Sequence, residues 1–408
     1  MTSRSTLATL TLPESTPPAA RAVLHLLKGL RHGTLDVQLP DGSAAHFGTQ
    51  AAGEPRAALR LHNWNVCSAA LKSGDIGFAE SYIAGDWTTP DLSTLLTLFV
   101  ANREQIESVI YGRWWASLLY RAKHLFNRNS RQGSKKNIHA HYDLGNEFYR
   151  LWLDPTMNYS SAWFEGDREH SADLASAQWA KVRRALRECG TQPGQRVLEI
   201  GCGWGALAEC AAREFGATVT GVTLSAEQLA WAQQRLADAA LPGELRFQDY
   251  RDIDDGPFDV IASIEMFEAV GRAYWPSFFA TIRSQLKPGG KACIQTITIR
   301  DDLFERYVKS SDFIQQYIFP GGLLPSPQAF RAAAAQAGLT VVNELAFGLD
   351  YAETLRRWRE RFLSADTPVR KLGFDTRFMR IWEFYLAYCE AAFATGNTSV
   401  MQFTLQRH

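Results

Sequence analysis

From about residue 190 onward, apolar positions fall in short unbroken runs, each followed by a segment whose apolar residues recur every three to four positions. RVLEIG predicts a buried strand, and GALAECAAREFG predicts a helix that stops at Gly216. ATVTGVT is a second strand and SAEQLAWAQQRLADA a second helix, with Ser225 and Gln228 spaced as a capping box at its start. ELRFQD, FDVIASIEM and KACIQTITI supply further strands, with an LKPGG turn before the last. Unbroken apolar strands alternating with amphipathic helices predict an α/β fold, a doubly wound parallel sheet of Rossmann-like type.

The first part of the chain reads differently. TLDVQLPDG and AALRLHN alternate as half-buried strands around the turn pair Asp41-Gly42, and helical stretches lie between them. A smaller mixed α+β N-terminal domain over residues 1–120 is expected, then a linker over 121–140 and the large domain over 141–408. No internal repeat or low-complexity segment interrupts this organisation.

Charge narrows the range of partners. Lys plus Arg and Asp plus Glu number 43 each, so no global field draws the chain to nucleic acid. Locally the balance is uneven. Between Arg113 and Lys136 stand seven basic residues and no acid, interleaved with Trp114, Trp115, Tyr120 and Phe126. Basic side chains gain about 1 kcal/mol each near anionic lipid, and interfacial tryptophans anchor there. A solvated hinge is the alternative reading. The N-terminus lacks the apolar core of a signal peptide, and no segment approaches the ~20 apolar residues of a membrane span. The expectation is a cytoplasmic protein held peripherally at the inner face of the membrane. Six scattered cysteines without a CxxC pair predict neither a disulfide frame nor a metal site.

Chemistry concentrates at EIGCGWGA, between the first strand and first helix of the large domain. Gly201, Gly203 and Gly205 let the backbone turn sharply and let a ligand approach main-chain N–H groups. A dinucleotide site needs an acid at the end of the second strand to hold a ribose. That strand ends Val222-Thr223-Leu224-Ser225, which argues against a nicotinamide cofactor. Glu199 just before the glycines, and QDYRD after the third strand, suit the sulfonium and amino group of S-adenosylmethionine instead.

HYDLGNEFYRLWLDPTMNYSSAWF, VLEIGCGWGALAE, GVTLSAEQ, MFEAVG and YIFPGGLLPS stand in an order and spacing that resembles the cyclopropane fatty acid synthase family, from about residue 60 to the C-terminus. The resemblance implies a class I methyltransferase that acts on the double bond of unsaturated phospholipid acyl chains, with an acyl-binding insertion near 300–328. It places Tyr159, Ser160, Gly201, Thr223, Gln228, Tyr250 and Arg251 at the adenosylmethionine site, with Tyr142 nearby. The family is thought to use a bound bicarbonate as base, and its ligands correspond by position to Ser161, Glu268, Gln295, Ile297 and Tyr351. Ser161 and Gln295 depart from the family's cysteine and histidine, and neither offers a histidine's cationic charge. Bicarbonate is therefore left open, as is the choice between a cyclopropane and a methyl- or methylene-branched product. Cys389 matches a cysteine given catalytic importance in the family, although its helix is apolar, where thiols are usually inert.

The alkene is a weak nucleophile, so aromatic faces that stabilise a cation without trapping it are expected around it. Tyr159, Trp163, Phe164, Phe267, Tyr317, Phe319 and Tyr351 are candidates. Two rival readings accompany this one: a nicotinamide oxidoreductase, and a lipid-binding protein that has lost catalysis. Head group, double-bond position and oligomeric state, a homodimer included, are left open.

Overall fold

A computed structural model describes residues 16–49, 53–110 and 144–408. The chain divides into two compact units, residues 1–118 and 119–408. Tyr142 and the basic aromatic stretch lie outside the described residues.

In the first unit, β1 (Thr34–Gln38) and β2 (Ala44–Gly48) form an antiparallel hairpin. Gly42 takes φ +86° at its tip, where Asp41 Oδ1 accepts from both Ser43 N and Ser43 Oγ. β3 (Arg56–Leu61) runs parallel to β1, and β4 (Trp87–Thr88) closes the order β2-β1-β3-β4. Strict alternation sends Leu35, Val37, Ala45 and Phe47 inward, as the period-2 pattern requires. The helix Asn65–Ala84 breaks at Ser73-Gly74. One turn later Gly77 packs so closely that a Cβ would lie 2.1 Å from the Ala69 carbonyl oxygen.

The second unit contains a seven-stranded sheet in the order β10-β11-β9-β8-β5-β6-β7. Its strands are β5 (Arg196–Ile200), β6 (Thr218–Thr223), β7 (Gly243–Phe247), β8 (Phe258–Ile264), β9 (Leu286–Ile299), β10 (Leu339–Ala346) and β11 (Thr398–Arg407). The sheet is mixed rather than wholly parallel. β11 runs antiparallel to both β9 and β10, whereas β9, β8, β5, β6 and β7 pair in parallel. Both faces are covered. Val182, Leu186, Leu207 and Ala211 pack on one side, and Phe267, Phe278, Phe279 and Phe330 on the other. This two-sided burial is why the strands read as unbroken apolar runs.

The first βα turn follows the sequence reading closely. The helix Ala206–Phe215 starts at Gly205 and ends at Gly216, both left-handed. The next helix, Ala226–Asp238, is capped by Ser225, whose Oγ accepts from Gln228 N. Only half of the expected capping box forms. Ser225 N donates to Thr223 Oγ1, so the Gln228 side chain is not spent on the cap.

β5 sits where the strand order reverses, with β6 on one side and β8 on the other. Ligands bind beyond the carboxyl ends of strands at such a point. Above it lie two features that the strand pattern did not predict. One is the segment of helices Asp301–Val308 and Phe313–Tyr317. The other is the pair of long helices Gly348–Ser364 and Thr376–Ala394, tied by the Arg359–Glu390 ion pair at 2.9 Å. No helix of the described residues is long and apolar enough to cross a membrane.

Candidate active site

Two cavities meet at the carboxyl end of the sheet. The first, about 160 Å³, lies over the glycine turn. Gly201, Gly203, Glu199, Thr223, Gln228 and Tyr250 line it, with Tyr159 and Ser160 opposite. The second, about 190 Å³, is largely apolar and is walled by Ile297, Phe319, Leu323, Leu355, Tyr385 and Phe393. Tyr159, Glu265 and Ala269 border both, so whatever fills the two cavities meets there.

The first cavity suits a cofactor with a cationic end. Glu199 is buried, its Oε2 has no hydrogen-bond partner, and burial pushes its carboxyl up to about 8. An ammonium or sulfonium placed there would offset that cost. A Cβ on Gly203 would meet nothing within 4 Å, so this backbone borders open space. Gly201 is constrained by the protein instead, since its Cβ would lie 2.9 Å from Met266 Cγ. Gly205 does not line the cavity. It is needed for packing, because a Cβ would come within 2.9 Å of Ala232 Cβ. Arg251 does not line it either. Its guanidinium is clamped by Asp249 at 2.8 and 2.5 Å and lies against the Tyr250 ring.

Around the junction the structure reveals a residue that sequence reading passed over. Glu265, immediately after β8, takes a left-handed φ of +49°, a conformation costing a non-glycine residue roughly 1 kcal/mol. Its Oε1 accepts from Ser161 N at 2.8 Å and from Gln295 Nε2 at 2.7 Å, and its Oε2 accepts from Tyr351 Oη at 2.7 Å. Three of the five residues assigned by position to a bicarbonate site therefore converge on a carboxylate of the chain itself. The Ser161 hydroxyl turns away to donate to the Ala162 carbonyl, and neither Ser161 nor Gln295 lines either cavity. The other two residues meet separately, with Ile297 N donating to Glu268 Oε1 at 2.5 Å.

The orientation of Gln295 follows from its neighbours. Arg184, which can only donate, gives a hydrogen bond to Gln402 Oε1 at 2.6 Å. Gln402 Nε2 then donates to Gln295 Oε1 at 3.0 Å, which leaves Gln295 Nε2 facing Glu265. Register makes this possible, since Gln402 on β11 lies directly opposite Gln295 on β9.

Two half-buried carboxyl groups this close together cannot both ionise cheaply. Burial, and then the charge of Glu265, push Glu268 up to about 8, and its Oε2 has no partner. Burial also raises Glu265, but Lys181 and the three donors oppose that shift. With three donors against the single main-chain donor of Glu268, Glu265 is the better placed of the two to carry a charge. Lys181 is fully buried behind this wall, with its Nζ 2.5 Å from Ser160 Oγ, and burial lowers it to about 8.

Of the expected rings, Tyr159, Phe319 and Tyr351 line the apolar cavity. Phe267 belongs to the core beside the sheet, and Trp163, Phe164 and Tyr317 line neither cavity. Tyr307, Tyr385, Tyr388 and Phe393 were not anticipated. Tyr385 hydroxyl bonds that of Tyr159 at 2.7 Å. Cys389 lines this cavity, and burial raises its thiol, which makes it a neutral wall and not a thiolate. Lys181 and Gln402 carried no sequence signal, because a lone lysine on an amphipathic helix reads as solvated. Glu265 did have one: an acid ending an apolar strand at the ligand-binding edge.

Residues 129–403 match the family described as mycolic acid cyclopropane synthetase. The chain is 39% identical over 404 residues to a tuberculostearic acid methyltransferase of Mycobacterium tuberculosis, covering 97% of this chain and 93% of that one. It is 35% identical over 357 residues to the cyclopropane-fatty-acyl-phospholipid synthase of Escherichia coli, covering 87% and 89%. Among solved structures, mycolic acid cyclopropane synthase CmaA1 in complex with SAH and CTAB superposes with a TM-score of 0.62 at 34% identity, over 67% of this chain and 98% of that one.

Proposed function

The chain belongs to the mycolic acid cyclopropane synthetase family of S-adenosylmethionine-dependent lipid methyltransferases, and on that premise we propose that it methylates the double bond of an unsaturated phospholipid acyl chain to give mainly a methylene- or methyl-branched product. The nicotinamide reading falls away. The observation that carries the proposal is the junction, where a polar cavity over the glycine turn opens into an apolar, tyrosine-walled one at Tyr159, Glu265 and Ala269.

S-adenosylmethionine, when bound, supplies an electrophilic methyl group. The chain's residues do the rest. Gly203 leaves room beside the backbone, and Glu199 offers an acceptor for the cofactor's amino group. Tyr159, Tyr351 and Tyr385 present π-faces and hydroxyls around the alkene, where positive charge develops. Leu323, Leu355 and Phe393 exclude water that would trap the cation. The segment over that cavity is anchored, because Leu323 N donates to the Glu268 carbonyl at 2.9 Å.

Branching is favoured over ring closure because Ser161 and Gln295 are committed to Glu265, so the proton acceptor differs from the one the resemblance implied. Gas chromatography with mass spectrometry of fatty acid methyl esters, after incubation with dioleoyl phosphatidylglycerol vesicles and labelled cofactor, tests this. Predominantly cyclopropane product would reject branching, and absence of label in lipid would reject the reaction.

We also propose that the basic aromatic stretch from Arg113 to Lys136 docks the enzyme on anionic membrane. Its charge is local in a neutral chain, so the attraction is screened by salt. Reversing Arg128, Arg131, Lys135 and Lys136 is expected to weaken co-sedimentation with anionic vesicles at low salt. Equal sedimentation would leave a solvated hinge.

A further inference from the structure

We propose that Glu265 is the general base of this reaction, an internal carboxylate that makes the enzyme independent of any added anion. The inference rests on the alkene methylation proposed above. Position is the first argument: of the three residues bordering both cavities, Ala269 is inert and Tyr159 shares its hydroxyl with Tyr385, which leaves Glu265 to accept a proton.

Geometry is the second. Glu265 Oε1 already accepts two hydrogen bonds, from Ser161 N and Gln295 Nε2, whereas Oε2 accepts only one, from Tyr351. The unused lone pair is therefore on Oε2. None of the three donors is a cation, and Lys181, whose charge lowers the Glu265 carboxyl, hydrogen-bonds Ser160 instead, so no direct ion pair pins the carboxylate. Its backbone is fixed as well. Glu265 N donates to the Gln295 carbonyl at 2.8 Å, and the left-handed φ of +49° is held at a site that glycine would fill without strain. A strained non-glycine residue over-determined by its surroundings is what a functional position looks like.

The proton balance is simple. The π pair of the alkene forms the new carbon–carbon bond as the carbon–sulfur pair stays on sulfur, and the neighbouring chain carbon is left cationic. A hydride shift from the methylated carbon moves that charge onto the carbon bearing the new methyl. Glu265 Oε2 then takes a proton from this methyl, the freed C–H pair becomes the double bond of a methylene, and Glu265 is left as the neutral acid. No oxidant or reductant is consumed.

Glu265→Gly is the informative variant, because glycine keeps the φ while vacating the three donors. The full-length enzyme is expected to turn over dioleoyl phosphatidylglycerol equally in carbonate-free and bicarbonate-containing buffer. Glu265→Gly is expected to lose about 10²- to 10⁴-fold in rate with unchanged adenosylhomocysteine affinity by calorimetry, and to regain part of it with formate or bicarbonate. Glu265→Gln, which fills the same space with an amide, is expected to stay inactive with either anion. Carbon-13 NMR gives a readout free of turnover: [13C]bicarbonate binds Glu265→Gly and not the wild type. A wild type that binds or requires bicarbonate, or a Glu265→Gly variant as active as wild type, overturns the base. A wild type inert toward unsaturated lipid overturns the reaction itself, and the base with it.

Discussion

Gly203 has φ +48° and open space where a Cβ would stand, so Gly203→Val adds both backbone strain and bulk to the cavity over the glycine turn. Adenosylhomocysteine binding is expected to weaken at least about a hundredfold, equivalent to roughly 2.7 kcal/mol. Calorimetry on a variant with an unchanged circular dichroism spectrum checks this. At position 161 only the main-chain N–H meets Glu265, and at 295 the side-chain amide does. The resemblance alone would suggest that Ser161→Cys with Gln295→His restores an anion site. With Glu265 still seated on those donors, that double variant is expected to bind no bicarbonate and to leave the ring-to-branch ratio unchanged. Adding Glu265→Gly is expected to raise the share of cyclopropane. Fatty acid methyl ester analysis of the double and triple variants decides between these outcomes.

Strands lend one another residues that no single strand announces. β11 reaches across β9 to place Gln402 between Arg184 and Gln295, and so the orientation of an active-site amide is set by a strand near the C-terminus. Gln402→Leu keeps the size but leaves Gln295 Oε1 and the Arg184 contact unsatisfied. It is expected to cost about 1–3 kcal/mol of stability, measured by urea unfolding. It is also expected to lower kcat more than it raises the cofactor KM, because Gln295 touches Glu265 and not the glycine turn. The helix Leu174–Glu188 has a parallel role. Its Gln178 and Lys181 both grip Ser160, through the carbonyl at 2.8 Å and the hydroxyl at 2.5 Å.

Over the whole molecule, burying acids at the site makes stability depend on pH. Burial pushes Glu199 and Glu268 up to about 8 from an ordinary value of 4.5, so between those limits the folded state binds more protons than the unfolded chain. Stability is then highest below about pH 4.5 as far as these groups are concerned, and falls as pH rises toward about 8. Each contributes a slope of at most about 1.4 kcal/mol per pH unit. Glu268→Gln is expected to flatten the fall in melting temperature from pH 5 to 8, and adenosylhomocysteine to reduce the part due to Glu199. Differential scanning fluorimetry across that range checks both. Periodicity sufficed for the parallel strands and their helices, because a strand buried on both faces must be apolar throughout. The glycine turn and Glu199 were legible for a similar reason: sharp turns and close ligand approach restrict residue choice locally. The antiparallel β11 escaped notice because TSVMQFTLQR mixes buried polar residues, Gln402 and Thr404, into its run. Tyr307, Tyr385 and Tyr388 of the apolar cavity escaped notice because they come from two helices whose ring spacing looks like ordinary core. Sequence by itself determined the parallel part of the sheet, the glycine turn and the family. Only the tertiary structure decided that Ser161, Gln295 and Tyr351 surround a carboxylate of the chain, because hydrogen-bond partners 30 to 104 residues apart are chosen by register and packing and leave no periodic trace.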